Sequence, residues 1–156
     1  MNALKINKTL LIGIGNYGRS DDALGWKFID TFASHDDMFD FEYRYQLQIE
    51  DAELISQYDQ VIFVDASQKK YADGFSFEQC VPSSSSSFTT HELKPEAVLW
   101  LTWDLFGKKP EAYVMAISGK QWKLHHGLST EAENNFNKAV SYFIGYINKL
   151  EPVSVL

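Results

Sequence analysis

The sequence predicts an α/β fold: a three-layer sandwich with a mostly parallel, twisted five-stranded sheet, one strand of it antiparallel, and helices on both faces. Three observations predict it. Two continuous apolar runs, "KTLLIGIG" (8–15) and "QVIFVDA" (60–66), have the composition of strands covered on both sides. Strand patterns and helical periodicity alternate in the order β-α-β-α-β, then β-α-β-α. The strand "GFSFEQC" (74–80) follows its predecessor after only "SQKKYAD", too short for a crossover helix, so it runs antiparallel to a neighbour. At 156 residues the chain suits a single domain, 1–156, with one core.

Each element has its own local reason. After the first strand and "RSDD", Leu24, Phe28 and Phe32 recur every four residues and share one helix face, with Ser20 or Asp21 as the expected cap. "FEYRYQL" (41–47) alternates and is aromatic, as a half-buried strand is. "EDAELISQ" (50–57) reads as a short helix, and the strand at 60–66 ends on Asp65. "PSSSSSF" (82–88) is the one low-complexity stretch and reads as a flexible surface loop, with Phe88 its first ordered anchor. "THELKPEAVLWLTWDLFG" (90–107) places Ala97, Leu101 and Leu105 at helical spacing between a Thr90 cap and a Gly107 stop. "AYVMAIS" (112–118) is the last strand. The closing helix (129–150) has Ser129 or Thr130 as cap and a stripe of Ala132, Phe136, Val140, Phe143, Ile147 and Leu150.

Bulk properties narrow the function. With 45% apolar and 15% aromatic residues the chain is globular, not disordered. A net charge of −7 argues against nucleic acid as a partner, since that would need a basic face. No apolar run approaches the roughly 20 residues of a membrane span, and "LLIGIG" lacks the features of a signal peptide. A single cysteine, Cys80, excludes an internal disulfide framework and a cysteine-rich zinc site, and is compatible with a reducing cytoplasm.

The chemistry is expected where the parallel strands end. In such sheets ligands bind at the switch point, where successive connections leave to opposite faces. With the first strand beside the third, Asp22 and Asp65 come from adjacent strand ends, and His91 opens the helix after the serine loop. Two carboxylates and an imidazole with open positions suit a borderline divalent ion such as nickel or zinc. Each residue also has an ordinary structural reading: a first-turn acid favours the helix dipole, a strand-end Asp caps a turn, and a His after "TT" caps or faces water. Only their convergence makes a site.

Other candidates are weaker. His125–His126 reads as a solvated loop pair. Ser83 to Ser87 include no G-x-S-x-G elbow, and Cys80 has no basic neighbour to activate it. "GIGNYG" formally fits G-x-G-x-x-G. Asp21 and Asp22 follow at once, however, and would repel a pyrophosphate at that helix N-terminus.

"LLIGIGNYGRSDDALGWKF" resembles the opening of the hydrogenase maturation proteases, where a G-x-G-N turn leads to an acidic pair and a further glycine, here Gly25. "QVIFVDAS", "TTHELKPEAVLWL" and "LFGKKPEAYVMAISG" followed by "HHGLSTEAENNF" continue the resemblance in order over nearly the whole chain. It implies an endopeptidase that removes the C-terminal extension of a nickel-iron hydrogenase large-subunit precursor after nickel insertion. It also implies that Asp22, Asp65 and His91 are the metal-binding and catalytic positions. Nickel is expected to arrive with the substrate, with other divalent metals able to substitute in vitro. A monomer acting in the cytoplasm, with the precursor as partner, is expected.

One stretch departs from the family pattern. Many members carry Asp-Gly-Gly-Thr after the second strand, and here the region reads "YQLQIEDAEL" with Gln46 near the aspartate's place. The metal set stays intact, while the type of hydrogenase processed stays open. Peptidyl-tRNA hydrolases open with a similar G-x-G-N-x-G turn, but Asp21–Asp22 stand where they would need a histidine-asparagine pair. Two alternatives to the peptidase remain: a non-proteolytic module that recognises a metallated partner, and a nucleotide-binding domain with Asp36, Asp37 or Asp40 near the ribose-binding distance.

Overall fold

The computed structural model describes residues 8–84 and 93–150. Five strands form one sheet: β1 (Thr9–Ile14), β2 (Phe39–Arg44), β3 (Gln60–Ser67), β4 (Phe75–Gln79) and β5 (Glu111–Ser118). Their order is β2-β1-β3-β5-β4, and only β4 is antiparallel to its neighbour. The helices are α1 (Leu24–Phe32), α2 (Asp51–Ile55), α3 (Pro95–Phe106) and α4 (Thr130–Leu150), with a 3-10 turn at Ser20–Ala23 leading into α1.

Strand alternation sorts the core into two layers. Leu11, Ile62, Val64, Met115 and Ile117 face Phe28 and Phe32 of α1 and Ala139 and Phe143 of α4. Leu10, Ile12, Val61, Phe63 and Ala112 face Ala52 and Ile55 of α2 and Val98 and Leu99 of α3. Every residue of β1 is buried, as a strand covered on both faces must be. The predicted three-layer sandwich is therefore the observed one. Among the described residues no helix is long and apolar enough to cross a membrane.

Several local expectations are corrected. β2 spans 39–44 rather than 41–47, because its partner β1 ends at Ile14, opposite Arg44. Tyr45 then turns out to solvent and is 72% exposed. α2 is shorter than 50–57. α3 begins at Pro95, not at Thr90. The proline ring disfavours helical geometry in the residue before it, and Lys94 is extended (φ −80°, ψ 157°), while Pro95 fits the first helical position. His91 therefore precedes the helix by four residues instead of opening it. Gly107 stops α3 in left-handed geometry, as expected (φ 66°).

The helix stripes hold except at their C-terminal ends. Leu105 of α3 and Leu150 of α4 are 56% and 46% exposed. In α3 the buried face runs through the predicted Ala97 and also Val98, Leu99 and Thr102, whose hydroxyl reaches the Ala52 carbonyl of α2 at 3.3 Å. Ser129 caps α4 by accepting from the Ala132 N–H at 3.1 Å. The expected flexible loop falls largely on Ser85 to Phe88, outside the described residues, whereas the cap position of α3 is Lys94 and not Thr90.

Candidate metal and active site at the switch point

The connection from β1 to β2 carries α1 over one face, and that from β2 to β3 carries α2 over the other. β1 and β3 are nevertheless neighbours. The switch point thus lies between their carboxyl ends. Asp22 sits in the 3-10 turn Ser20–Ala23, which follows β1 after the loop 15–19. Asp65 sits on β3 one residue beyond Val64, the last residue paired with β1. Alternation puts Asp65 on the same face as Val61 and Phe63, toward α2 and α3. Both aspartates are half-buried.

Glycines seat the turn on these strand ends. A Cβ at Gly25 would overlap the carbonyl oxygens of Ile14 and Val64, both backbone atoms of the sheet, so the helix start lies directly on β1 and β3. The loop before it closes on Asp22. The Asn16 N–H donates to the Asp22 carbonyl, and the Asp22 N–H donates to the Arg19 carbonyl, each at 3.0 Å.

The same hydrogen bonds count against the nucleotide alternative. A phosphate cradle needs free N–H groups. Here those of Gly15, Asn16, Arg19, Ser20, Asp21 and Asp22 donate to backbone carbonyls, and that of Gly18 donates to the Asn16 side chain at 2.8 Å.

His91 lies outside the described residues. Leu93, two residues further on, forms an isolated antiparallel bridge with Leu47, just beyond β2 and on the edge where the strands end. Among the described residues no group of three or more His, Cys, Asp or Glu is placed to hold a metal ion. Asp22 and Asp65 thus belong to segments at the end of the sheet where the site was expected, while His91 stands outside what is described.

Asp21 has a different role from the one expected. Neither it nor Ser20 caps the turn with its side chain. Asp21 is fully buried, and its carboxylate gathers the loop between β5 and α4. One oxygen accepts from the Lys120 N–H (2.7 Å), the Gln121 N–H (2.8 Å) and the Ser129 hydroxyl (2.7 Å), and the other accepts from the Ser129 N–H (2.7 Å). Burial pushes its pKa up, but the N–H groups of Gln121, Ser129 and Lys120 and the Ser129 hydroxyl outweigh this and hold it below the ordinary carboxylate value. Ser20 completes the join with φ 52°, its hydroxyl donating to the Lys123 carbonyl at 2.9 Å. No local pattern distinguishes Asp21 from Asp22. The partners lie about a hundred residues away, and only the fold reveals them.

His125 and His126 are exposed, as expected, but the backbone of their loop is not detached. The His125 N–H donates to the Gly18 carbonyl and its carbonyl accepts from the Ser20 N–H. Cys80 is half-buried, and burial together with Glu96 pushes its thiol up to about 12. It is a thiol, not a nucleophilic thiolate, at neutral pH. Cys80→Ser is expected to retain the wild-type cleavage rate in the assay described below.

The chain shares its mostly parallel α/β fold with solved hydrogenase maturation endopeptidases. The solved hydrogenase maturating endopeptidase HybD from E. coli superposes with a TM-score of 0.69 at 17% identity, covering 91% of this chain and 93% of that one. The [NiFe] hydrogenase maturation protease HycI from Thermococcus kodakarensis KOD1 gives 0.68 at 17% identity over 91% and 93%. A hydrogenase 2 maturation peptidase from Thaumarchaeota archaeon SCGC_AB-539-E09 gives 0.65 at 22% identity over 90% and 98%. No family model and no curated protein matches the sequence.

Proposed function

We propose that this protein is an endopeptidase that removes the C-terminal extension of a nickel-iron hydrogenase large-subunit precursor after nickel insertion. It is proposed to act in the cytoplasm, with Asp22, Asp65 and His91 meeting the nickel that the precursor carries. One observation supports the reading: in a fold shared with solved hydrogenase maturation endopeptidases, Asp65 lies near the end of β3, and the 3-10 turn that carries Asp22 packs its backbone on Gly15 and Asn16 just after the neighbouring β1. Leu93 supports it by anchoring the chain just after His91 at the same edge.

The donor set fits a borderline divalent ion: two carboxylates supply charge and a neutral imidazole supplies nitrogen. Nickel, as part of the substrate, supplies Lewis acidity. The chain's own residues orient the incoming tail, and their carboxylate oxygens accept a proton from attacking water. Three ligands on separate segments make an open site, unlike a closed four-ligand structural centre. Recognition is therefore completed by the precursor's own ligands.

The test compares nickel-loaded with nickel-free precursor, read by intact mass under chelation that spares the loaded centre. Cleavage of the loaded form alone is expected. Equal cleavage of both would overturn the dependence on substrate metal. Binding of the loaded precursor without cleavage would make the protein a recognition module instead.

A further inference from the structure

One border of the sheet carries features that neither the core nor the metal set uses. β2 is an edge strand, paired with β1 alone among the described residues. Beside its end lies an aromatic cluster. Trp26 of α1 meets Tyr17 and Tyr43 edge-on, with ring centres 4.9 and 5.7 Å apart, and Tyr45 at 5.1 Å. The Tyr17 and Tyr43 hydroxyls both donate to Asp30, the first at 2.6 Å. Trp26 is fixed by its indole N–H on the Arg44 carbonyl at 2.9 Å. Tyr45, by contrast, leaves 72% of its surface in water, and Ile49 beyond it leaves 61%.

The sequence that forms this border is acidic, although Asp51 within it is buried and Asp59 precedes β3 at the far end of the sheet. The stretch from Asp30 to Asp59 holds nine Asp and Glu residues against a single basic side chain apart from His35, Arg44. Arg44 is itself held between Glu42 (2.8 Å) and Asp51 (2.9 Å). The surface is also continuous with the candidate site. Tyr17 belongs to the loop that binds the Asp22 backbone, and Tyr45 leads to Leu47, the partner of Leu93.

We propose that the β2 edge and the Trp26–Tyr45 face dock an extended, lysine- or arginine-bearing segment of the polypeptide whose tail enters the site. This rests on the peptidase reading above. Each feature selects one property of that occupant. An open strand edge recognises an extended main chain. Exposed aromatic faces attract a cationic side chain. The surrounding carboxylates draw a basic segment toward the edge and make its capture sensitive to salt.

The test measures equilibrium binding of nickel-free hydrogenase precursor, which is not expected to be cleaved. Tyr45→Ala is expected to weaken binding about tenfold, the scale of one cation–aromatic contact, whereas Tyr45→Phe should bind as wild type. Binding should weaken as salt rises, and amides of 39–44 should gain protection from hydrogen exchange in the complex. Unchanged affinity in Tyr45→Ala, insensitivity to salt, protection confined to the opposite edge at β4, or no binding would each overturn the docking surface. Cleavage of nickel-loaded precursor is a separate readout. If wild type fails to cleave, the peptidase reading falls while binding still decides the docking surface. If Tyr45→Ala cleaves with an unchanged KM, the docking surface falls while the peptidase reading stands.

Discussion

Asp21→Asn is expected to destabilise the protein by about 3 to 4 kcal/mol, lowering its melting temperature by about 10 °C. The substitution conserves size, so no cavity forms. The cost comes from donors. Three of them converge on one Asp21 oxygen and one on the other. An asparagine has a single acceptor oxygen. Facing it toward Lys120, Gln121 and the Ser129 hydroxyl turns its NH₂ against the Ser129 N–H. The reverse orientation turns the NH₂ against the other three. Either way at least one buried donor loses its acceptor.

The effect should depend on pH in a defined direction. The folded-state pKa of Asp21 is depressed. Its stabilisation is therefore fully present above the ordinary carboxylate value, about 3.9, and is lost as pH falls through the lower folded-state value. Thermal melts of both proteins across acid pH should show the gap between them narrowing below about pH 4. A constant gap, or a variant as stable as wild type at pH 7, would show that the Asp21 hydrogen bonds do not hold the β5–α4 loop in place.

Asp65→Asn and His91→Ala are each expected to reduce cleavage of nickel-loaded precursor by at least about 100-fold while the far-ultraviolet spectrum stays native. Changing residues that merely support a metal ligand costs about 10- to 100-fold, so loss of a ligand should cost more. Asp65 is half-buried at the end of β3, outside both core layers, so Asn there creates no core cavity. Either variant cleaving near the wild-type rate would remove that residue from the proposed set. The contrast with Asp21→Asn is informative: two aspartates at the same end of the sheet are expected to fail in different assays, Asp21 by unfolding and Asp65 by losing catalysis.

The sequence by itself determined the layers. The buried runs at β1 and β3, the helical stripes of α1 and α4 and the short β3–β4 connection are local patterns, and each is decided by residues close in the chain. The sequence also showed that Asp65 stands at the end of a buried run and that an acidic pair, Asp21 and Asp22, follows the glycine turn after β1. Boundaries were less legible. β2 stops where β1 stops, which depends on a partner thirty residues away, and α3 starts late because Pro95 constrains Lys94. Only the tertiary structure separated Asp21 from Asp22. Both are acids in one turn, with the same charge and the same local neighbours. Their roles diverge because folding carries the N–H groups of Lys120, Gln121 and Ser129 onto one carboxylate and not onto the other. A hydrogen bond between residues a hundred positions apart leaves no periodicity in the chain, so it becomes legible only when the strands have placed its donors.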